Sequence, residues 1–297
     1  MAYSRDEKIE VVTLTPKGPE PFPESFARHL KDKHLGRLCQ KDVVTDICFS
    51  SDGNLLASSD CDGSINIWDF RLRKCVALLK THTGEVTAIS FSPKGDFLAS
   101  GSLDEFIHIW RVAEAVNGSL EPWKTFGKKS GIKKIAKHQH DIEEIQTIAF
   151  SHNGKHLAAG DQQGVVTVRE IETGIEMYRS KVHNLHIVSV RFSPTNPSLL
   201  VTASDDTRIR LVDCNREGIS TLGTGDDKHS KALTSIALSS TGRLLISAAA
   251  DGLIKIWDVF DKRLLHTYRG SEDGYKTNRL AFVPNQYSLP QTHFSVP

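Results

Sequence analysis

Over Val86-Thr87-Ala88-Ile89-Ser90-Phe91 apolar side chains recur at near-alternate positions, the spacing of a strand with one face buried. Ser92-Pro93-Lys94-Gly95-Asp96 then predicts a turn. Phe97 to Ser100 reads as a second strand, Leu103-Asp104-Glu105 as a second turn, and Phe106 to Trp110 as a third strand. One such unit cannot bury both of its faces. It needs neighbours of its own kind, and the pattern does recur. Phe49, Phe91, Phe150, Phe192, Leu238 and Phe282 close successive first strands, with Ile47, Ile89, Ile148, Val190, Ile236 and Leu280 two positions earlier. Third strands close at Trp68, Trp110, Arg169, Val212 and Trp257, separated by 42, 59, 43 and 45 residues. That is the period of four-stranded propeller blades.

The ends of the chain are less regular. A sixth copy begins at Asn278-Arg279-Leu280-Ala281-Phe282, with Leu289 in its second-strand slot. Pro290 then removes a ladder donor. Near the N-terminus Ile9 to Leu14 is strand-like, Pro16, Pro19, Pro21 and Pro23 predict an extended link, and Glu24 to Leu35 predicts a short polar helix. Two closures follow. Either the strand at 8–14, with Gly36 to Cys39, pairs with the C-terminal strands and completes a sixth blade, or the chain is a truncated seven-bladed ring with an open edge. Six blades closed by the N-terminus is the preferred reading. It divides the chain into a 1–40 extension contributing a strand to the closing blade and a 41–297 propeller carrying a basic insertion at 113–139.

At these residues the chain resembles the WD-repeat (WD40) family of β-propellers, over about 40–284. The resemblance implies an all-β fold of five clear four-stranded blades plus a partial sixth. It also implies a buried tetrad in each blade: His before the first strand, Ser or Thr on the second, Asp in the turn and Trp on the third. His82, Ser100, Asp104 and Trp110 fill these slots in the second repeat, and His229, Ser247, Asp251 and Trp257 in the fifth. The fourth has His183, Thr202 and Asp206, with Val212 for Trp. The first has Ser58, Asp62 and Trp68, with Gln40 in the His slot and His34 out of register. The third keeps only His140; Ala159, Gln163 and Arg169 fill the rest, so this blade is expected to rest on apolar packing alone. Repeats two and five are expected to be the stiffest. The His and Asp residues read as blade staples rather than catalytic dyads, because a buried carboxylate needs donors and these supply them.

Composition changes this picture little. The 37 Lys and Arg against 36 Asp and Glu give no global attraction to nucleic acid or an anionic membrane. No apolar run approaches the length of a transmembrane helix. The first residues lack a signal-peptide layout. Five scattered cysteines without a CxxC pair suit a reducing compartment, the cytoplasm or the nucleus. No enzyme motif or nucleotide fingerprint is present, so the reading is non-enzymatic, without cofactor. His138 and His140 form an HxH pair with no cluster to complete a metal site.

Three features could carry binding. Lys124, Lys128, Lys129, Lys133, Lys134 and Lys137 populate the insertion beside Trp123 and Phe126, a composition that can grip phosphate and stack on bases. The plainer reading is that Gly131 to Lys137 is the outer strand of blade two with its lysines in water. Trp68-Asp69-Phe70-Arg71 matches an ending with which some WD-repeat proteins dock on the adaptor of cullin-4 ubiquitin ligases, through the Arg71 position. Family partners usually meet the face built by the tetrad turns and the loops before the first strands, which places Glu85, Leu103, Glu144, Gln162, His186, Asp205 and Lys231 there. The resemblance thus implies a scaffold, monomeric by itself, that holds protein partners in a multi-subunit complex. A ligase substrate receptor is the alternative and an RNA-associated factor the second.

Overall fold

The computed structural model describes residues 42–269 except 70, 73, 128–142, 217 and 224, together with Leu280 and the backbone of 2–5, 8–15 and 18–21. Three strands come first: β1 (Ala2–Arg5), β2 (Lys8–Thr15) and β3 (Gly18–Pro21), an antiparallel sheet in that order. Five four-stranded antiparallel sheets follow. Blade one is β4 (Val44–Phe49), β5 (Leu55–Asp60), β6 (Ile65–Asp69) and β7 (Lys74–Leu79). Blade two is β8 (Val86–Phe91), β9 (Phe97–Ser102), β10 (Phe106–Arg111) and β11 (Lys124–Gly127). Blade three is β12 (Ile145–Phe150), β13 (His156–Asp161), β14 (Val165–Glu170) and β15 (Glu176–Lys181). Blade four is β16 (Ile187–Phe192), β17 (Leu199–Ser204), β18 (Ile209–Asp213) and β19 (Gly218–Leu222). Blade five is β20 (Leu233–Leu238), β21 (Leu244–Ala249), β22 (Leu253–Asp258) and β23 (Arg263–Arg269).

Each blade is a meander whose strands pair in chain order. First strands of successive blades lie against one another, so they form the inner wall of the array. The core is not inside any blade but between blades. Ile65, Ile67 and Leu79 of blade one pack on Val86, Ile89, Leu98 and Trp110 of blade two. Three equivalent clusters join blades two to three, three to four and four to five. This is the sheet-on-sheet burial that a single blade could not provide for itself.

Residues 8–14 do form a strand: β2 pairs with β1 over Lys8–Val11 and with β3 over Val12–Thr15. One other expectation is corrected. The outer strand of blade two is Lys124–Gly127, paired with β10 through Phe106↔Gly127 and Ile109↔Lys124, and not 131–137. Trp123 explains the choice: it stacks on Phe97 at 5.0 Å and anchors the strand that begins at the next residue. The insertion opens with a short helix, α1 (Val112–Val116), whose Val112 and Ala115 enter the core between blades one and two. The expected helix at 24–35, the strand at 36–39, and Leu289 and Pro290 lie outside the described residues, as do His138, His140 and Lys128, Lys129, Lys133, Lys134 and Lys137.

Candidate functional site

The tetrads stand where the turns between second and third strands meet the loops that enter each blade. In blade five Trp257 Nε1–H donates to Ser247 Oγ at 2.8 Å, Ser247 Oγ lies 2.8 Å from His229 Nε2, and His229 Nδ1 lies 3.0 Å from Asp251 Oδ2. Burial pushes the His229 pKa down, so the ring is neutral, with Nδ1–H donating to the carboxylate and Nε2 accepting. The carboxylate also accepts the N–H groups of Ser230 and Leu253, tying entry loop to turn. Blade four repeats this without the indole: His183 bridges Thr202 at 2.8 Å and Asp206 at 3.0 Å. Val212 is fully buried in the Trp slot.

Blade two departs from its expected completeness. His82 bridges Ser100 at 2.6 Å and Asp104 at 2.9 Å, but Trp110 Nε1 is buried without a hydrogen-bond partner. The indole instead packs edge-on against His108, which lies 4.2 Å from the His82 ring and bonds Thr125 through Nδ1 at 2.9 Å. Burial pulls Asp104 upward, yet the bonds from His82, Thr83 N–H and Phe106 N–H outweigh it and bring its pKa down to about 2.

Blades one and three hold their turns differently. Trp68 Nε1–H donates to Ser58 Oγ at 2.9 Å, but Asp62 faces solvent and pairs with Lys80 at 2.7 Å. Asp60 caps the turn instead, accepting from Asp62 N–H and Ser64 N–H. In blade three Asp161 does the same for Gln163 and Val165. Burial raises both carboxyls. Blade three therefore does not rest on apolar packing alone. Arg169, in the Trp slot, lies over the Phe126 ring and pairs with Glu176 on β15. Sequence reasoning missed Asp60, Asp161 and Glu176; the shared Asp at the end of β5 and β13 was the available signal.

Ser, His and Asp in a row are also the groups of a nucleophilic triad. Here Ser100, Ser247 and Thr202 have 0 % exposure and their hydroxyls are committed to the staple, so no substrate carbonyl can reach them. Among the described residues no three His, Cys, Asp or Glu side chains could hold a metal ion.

The predicted contact residues do share one face. Leu103 N–H bonds Glu85 O at 3.0 Å, Gln162 N–H bonds Glu144 O at 3.0 Å and Asp205 N–H bonds His186 O at 3.2 Å. Each pair links a turn to its entry loop, and His186 and Asp205 also form a side-chain pair at 3.0 Å. In blade five the equivalent bond is Ala250 N–H to Ala232 O, so Lys231 stands one residue before the register position, exposed. Neighbouring blades are continuous at this face: Gly164 O accepts from Val182 and His183 of the next entry loop, both at 2.9 Å. Arg71 lies outside this face, on the β6–β7 turn. It is exposed, its N–H is held by Asp69, and among the described residues its guanidinium makes no ion pair.

The repeat period, the inter-blade cores and the His–Asp staples agree with one comparison above all. The family model described as WD domain, G-beta repeat matches residues 33–69, 73–111, 177–213 and 220–258. The chain belongs to the WD-repeat family. Blade three, with its altered tetrad, is the blade left unmatched. Mitogen-activated protein kinase-binding protein 1 of Homo sapiens is 34% identical over 149 residues, 49% of this chain and 9% of that protein. E3 ubiquitin-protein ligase COP1 of Arabidopsis thaliana is 26% identical, over 54% of this chain and 30% of that protein. Nuclear distribution protein PAC1 of Arthroderma benhamiae is 24% identical, over 92% and 60%. The WD-repeat chain thus spans less than a third of the first two relatives. No helix among its described residues is long and apolar enough to cross a membrane.

The basic insertion offers little to nucleic acid where it is described. Lys124 Nζ donates to the carbonyls of Ile171 and Glu172 and lies 4.5 Å from the Trp123 ring centroid. Trp123 and Phe126 are likewise engaged within the protein, with Phe97 and Arg169.

Proposed function

We propose that this WD-repeat chain is a non-catalytic platform that holds protein partners through the face of its tetrad turns. The observation that carries the reading is the division of labour at that face. Backbone bonds and buried polar groups fix these turns, while Gln162 is exposed and Leu103 and Asp205 are partly exposed, Asp205 beside His186. A rigid frame with variable surface groups supports recognition without chemistry. Asp205→Lys and Leu103→Arg are expected to abolish capture of the native partner in pull-downs from the source cell. Both should move the thermal midpoint by only about 2–4 °C, since a partly exposed pair such as His186–Asp205 contributes roughly 1 kcal/mol or less. Unimpaired capture, or a large loss of stability in either variant, sinks the assignment.

The exposed Arg71 guanidinium supports a second reading, docking on the adaptor of cullin-4 ubiquitin ligases. On that reading the adaptor co-purifies with the chain and is lost on Arg71→Ala. Absence of the adaptor from the purified native chain rules it out.

A further inference from the structure

The turn from second to third strand is closed by the same bond in all five blades. The N–H groups of Gly63, Glu105, Gly164, Thr207 and Gly252 donate to the carbonyls of Asp60, Ser102, Asp161, Ser204 and Ala249, at 3.1–3.3 Å. These five residues also share one backbone conformation, with φ between 70° and 82°. That is the left-handed region, open to glycine and strained for a residue that carries a Cβ. Three blades use glycine there. Blades two and four hold Glu105 and Thr207 instead, and a β-branched threonine suits the region least. The turn fixes them from the far side as well: Phe106 N–H donates to Asp104 Oδ1 at 3.0 Å and Arg208 N–H to Asp206 Oδ1 at 3.1 Å.

The glycines differ in what they are for. At Gly63 and Gly164 close approach demands them, because a Cβ would stand 2.7 Å from His82 O and 2.2 Å from His183 O of the next entry loop. At Gly252 nothing lies within 4 Å of that place, and glycine serves the dihedral alone. The turn therefore closes without a side chain even where there is room for one. Around Thr207 the neighbouring loop is held differently. The segment between β19 and β20, 223–232, is longer than that between β15 and β16, 182–186. Lys255 Nζ ties it down by donating to Asp227 O at 2.7 Å and Lys228 O at 3.0 Å. That tether lets the loop pass a turn that carries a Cβ. Glu105 and Thr207 are both partly exposed, and each stands two residues after a contact residue of the tetrad-turn face, Leu103 and Asp205.

We infer that Glu105 and Thr207 are specificity-determining contacts of that face, held against backbone preference because their side chains meet the protein partner. On the platform role proposed above, the partner then lies as an extended segment across blade three, past the exposed Gln162, from the turn of blade two to that of blade four.

Glycine substitutions separate a contact from a support. The probe is the set of proteins that the full chain retains from a source-cell lysate and that Leu103→Arg loses. Glu105→Gly and Thr207→Gly should each lower retention of that set by about tenfold. Relief of strain, less the entropic cost of glycine itself, should at the same time raise the thermal midpoint by about 1–3 °C. Lys262, with φ 52° on the β22–β23 turn outside this face, is the third such non-glycine residue among those described. Lys262→Gly should raise the midpoint likewise and leave retention unchanged. Full retention by Glu105→Gly or Thr207→Gly, with Leu103→Arg still defective, overturns the assignment and leaves the platform standing. A fall in midpoint in either variant overturns it too, since the side chain would then support the fold. Equal loss of retention in Lys262→Gly has the same force, because loosened backbone would account for all three. If Leu103→Arg loses nothing, the platform role and these contacts fail together.

Discussion

His108 occupies a third-strand slot that holds Asn66, Thr167, Arg210 and Lys255 in the other blades. It is buried against His82, Phe106 and Trp110, and burial, followed by the nearby His82, takes its pKa from 6.5 down to about 4. Between these values the unfolded chain holds a proton that the folded one rejects. The stabilisation is therefore complete above pH 6.5 and is lost as pH falls toward 4, by at most about 3 kcal/mol. His183 and His229 are also lowered by burial and act in the same sense. Asp104 and Asp206, depressed to about 2, contribute above their ordinary value of 3.8 and fail only below it. His108→Thr is expected to flatten the decline in urea-unfolding stability between pH 6.5 and 4; an unchanged slope would exclude His108 as a source. The staples themselves were legible as residue types at fixed spacing. That Trp110, unlike Trp257, leaves its indole N–H unpaired was not, because spacing places a residue but does not say which neighbour will lie against it.

At the scale of elements, strands were read well where alternation and turn chemistry coincide, as at β8 to β10. The outer strand of blade two was read too late, because a run of lysines resembles a solvated edge. The true edge is short and is fixed by contacts distant in sequence, Trp123 on Phe97 and Lys124 on the carbonyls that follow β14. Blade three shows the same limit. Losing the tetrad looked like losing polar support, yet Arg169 lies over the Phe126 ring, its Nε is buried without a partner, and Glu176 carries its ion pair. Such a pair costs most when one member is removed and the other left buried. Glu176→Ala is expected to destabilise by roughly 1–3 kcal/mol. Adding Arg169→Leu to that variant should recover most of the loss, because an apolar chain suits the slot that Val212 fills in blade four. Chemical denaturation of the two single variants and the double variant checks this, and equal or additive losses would contradict it.

For the whole molecule, the decisive fact is that the hydrophobic cores lie between blades. A blade is then stable only through its two neighbours, and damage should spread along the array in proportion to shared core rather than to distance in sequence. Ile109 offers a clean test. It is fully buried, belongs to the core between blades two and three, and takes no part in a staple. Ile109→Ala removes three carbons from that core and is expected to cost about 2–5 kcal/mol. Hydrogen exchange should accelerate in β8 to β10 and equally in β12 to β14, which lie up to about 60 residues further along the chain. Blade five, joined through two further cores, should respond only at the level of global unfolding. A response confined to blade two would mean that the blades carry their own stability. The rigidity that makes the tetrad-turn face a platform would then have to come from the staples, and the blade with a complete one, blade five, would exchange most slowly even with its neighbours loosened.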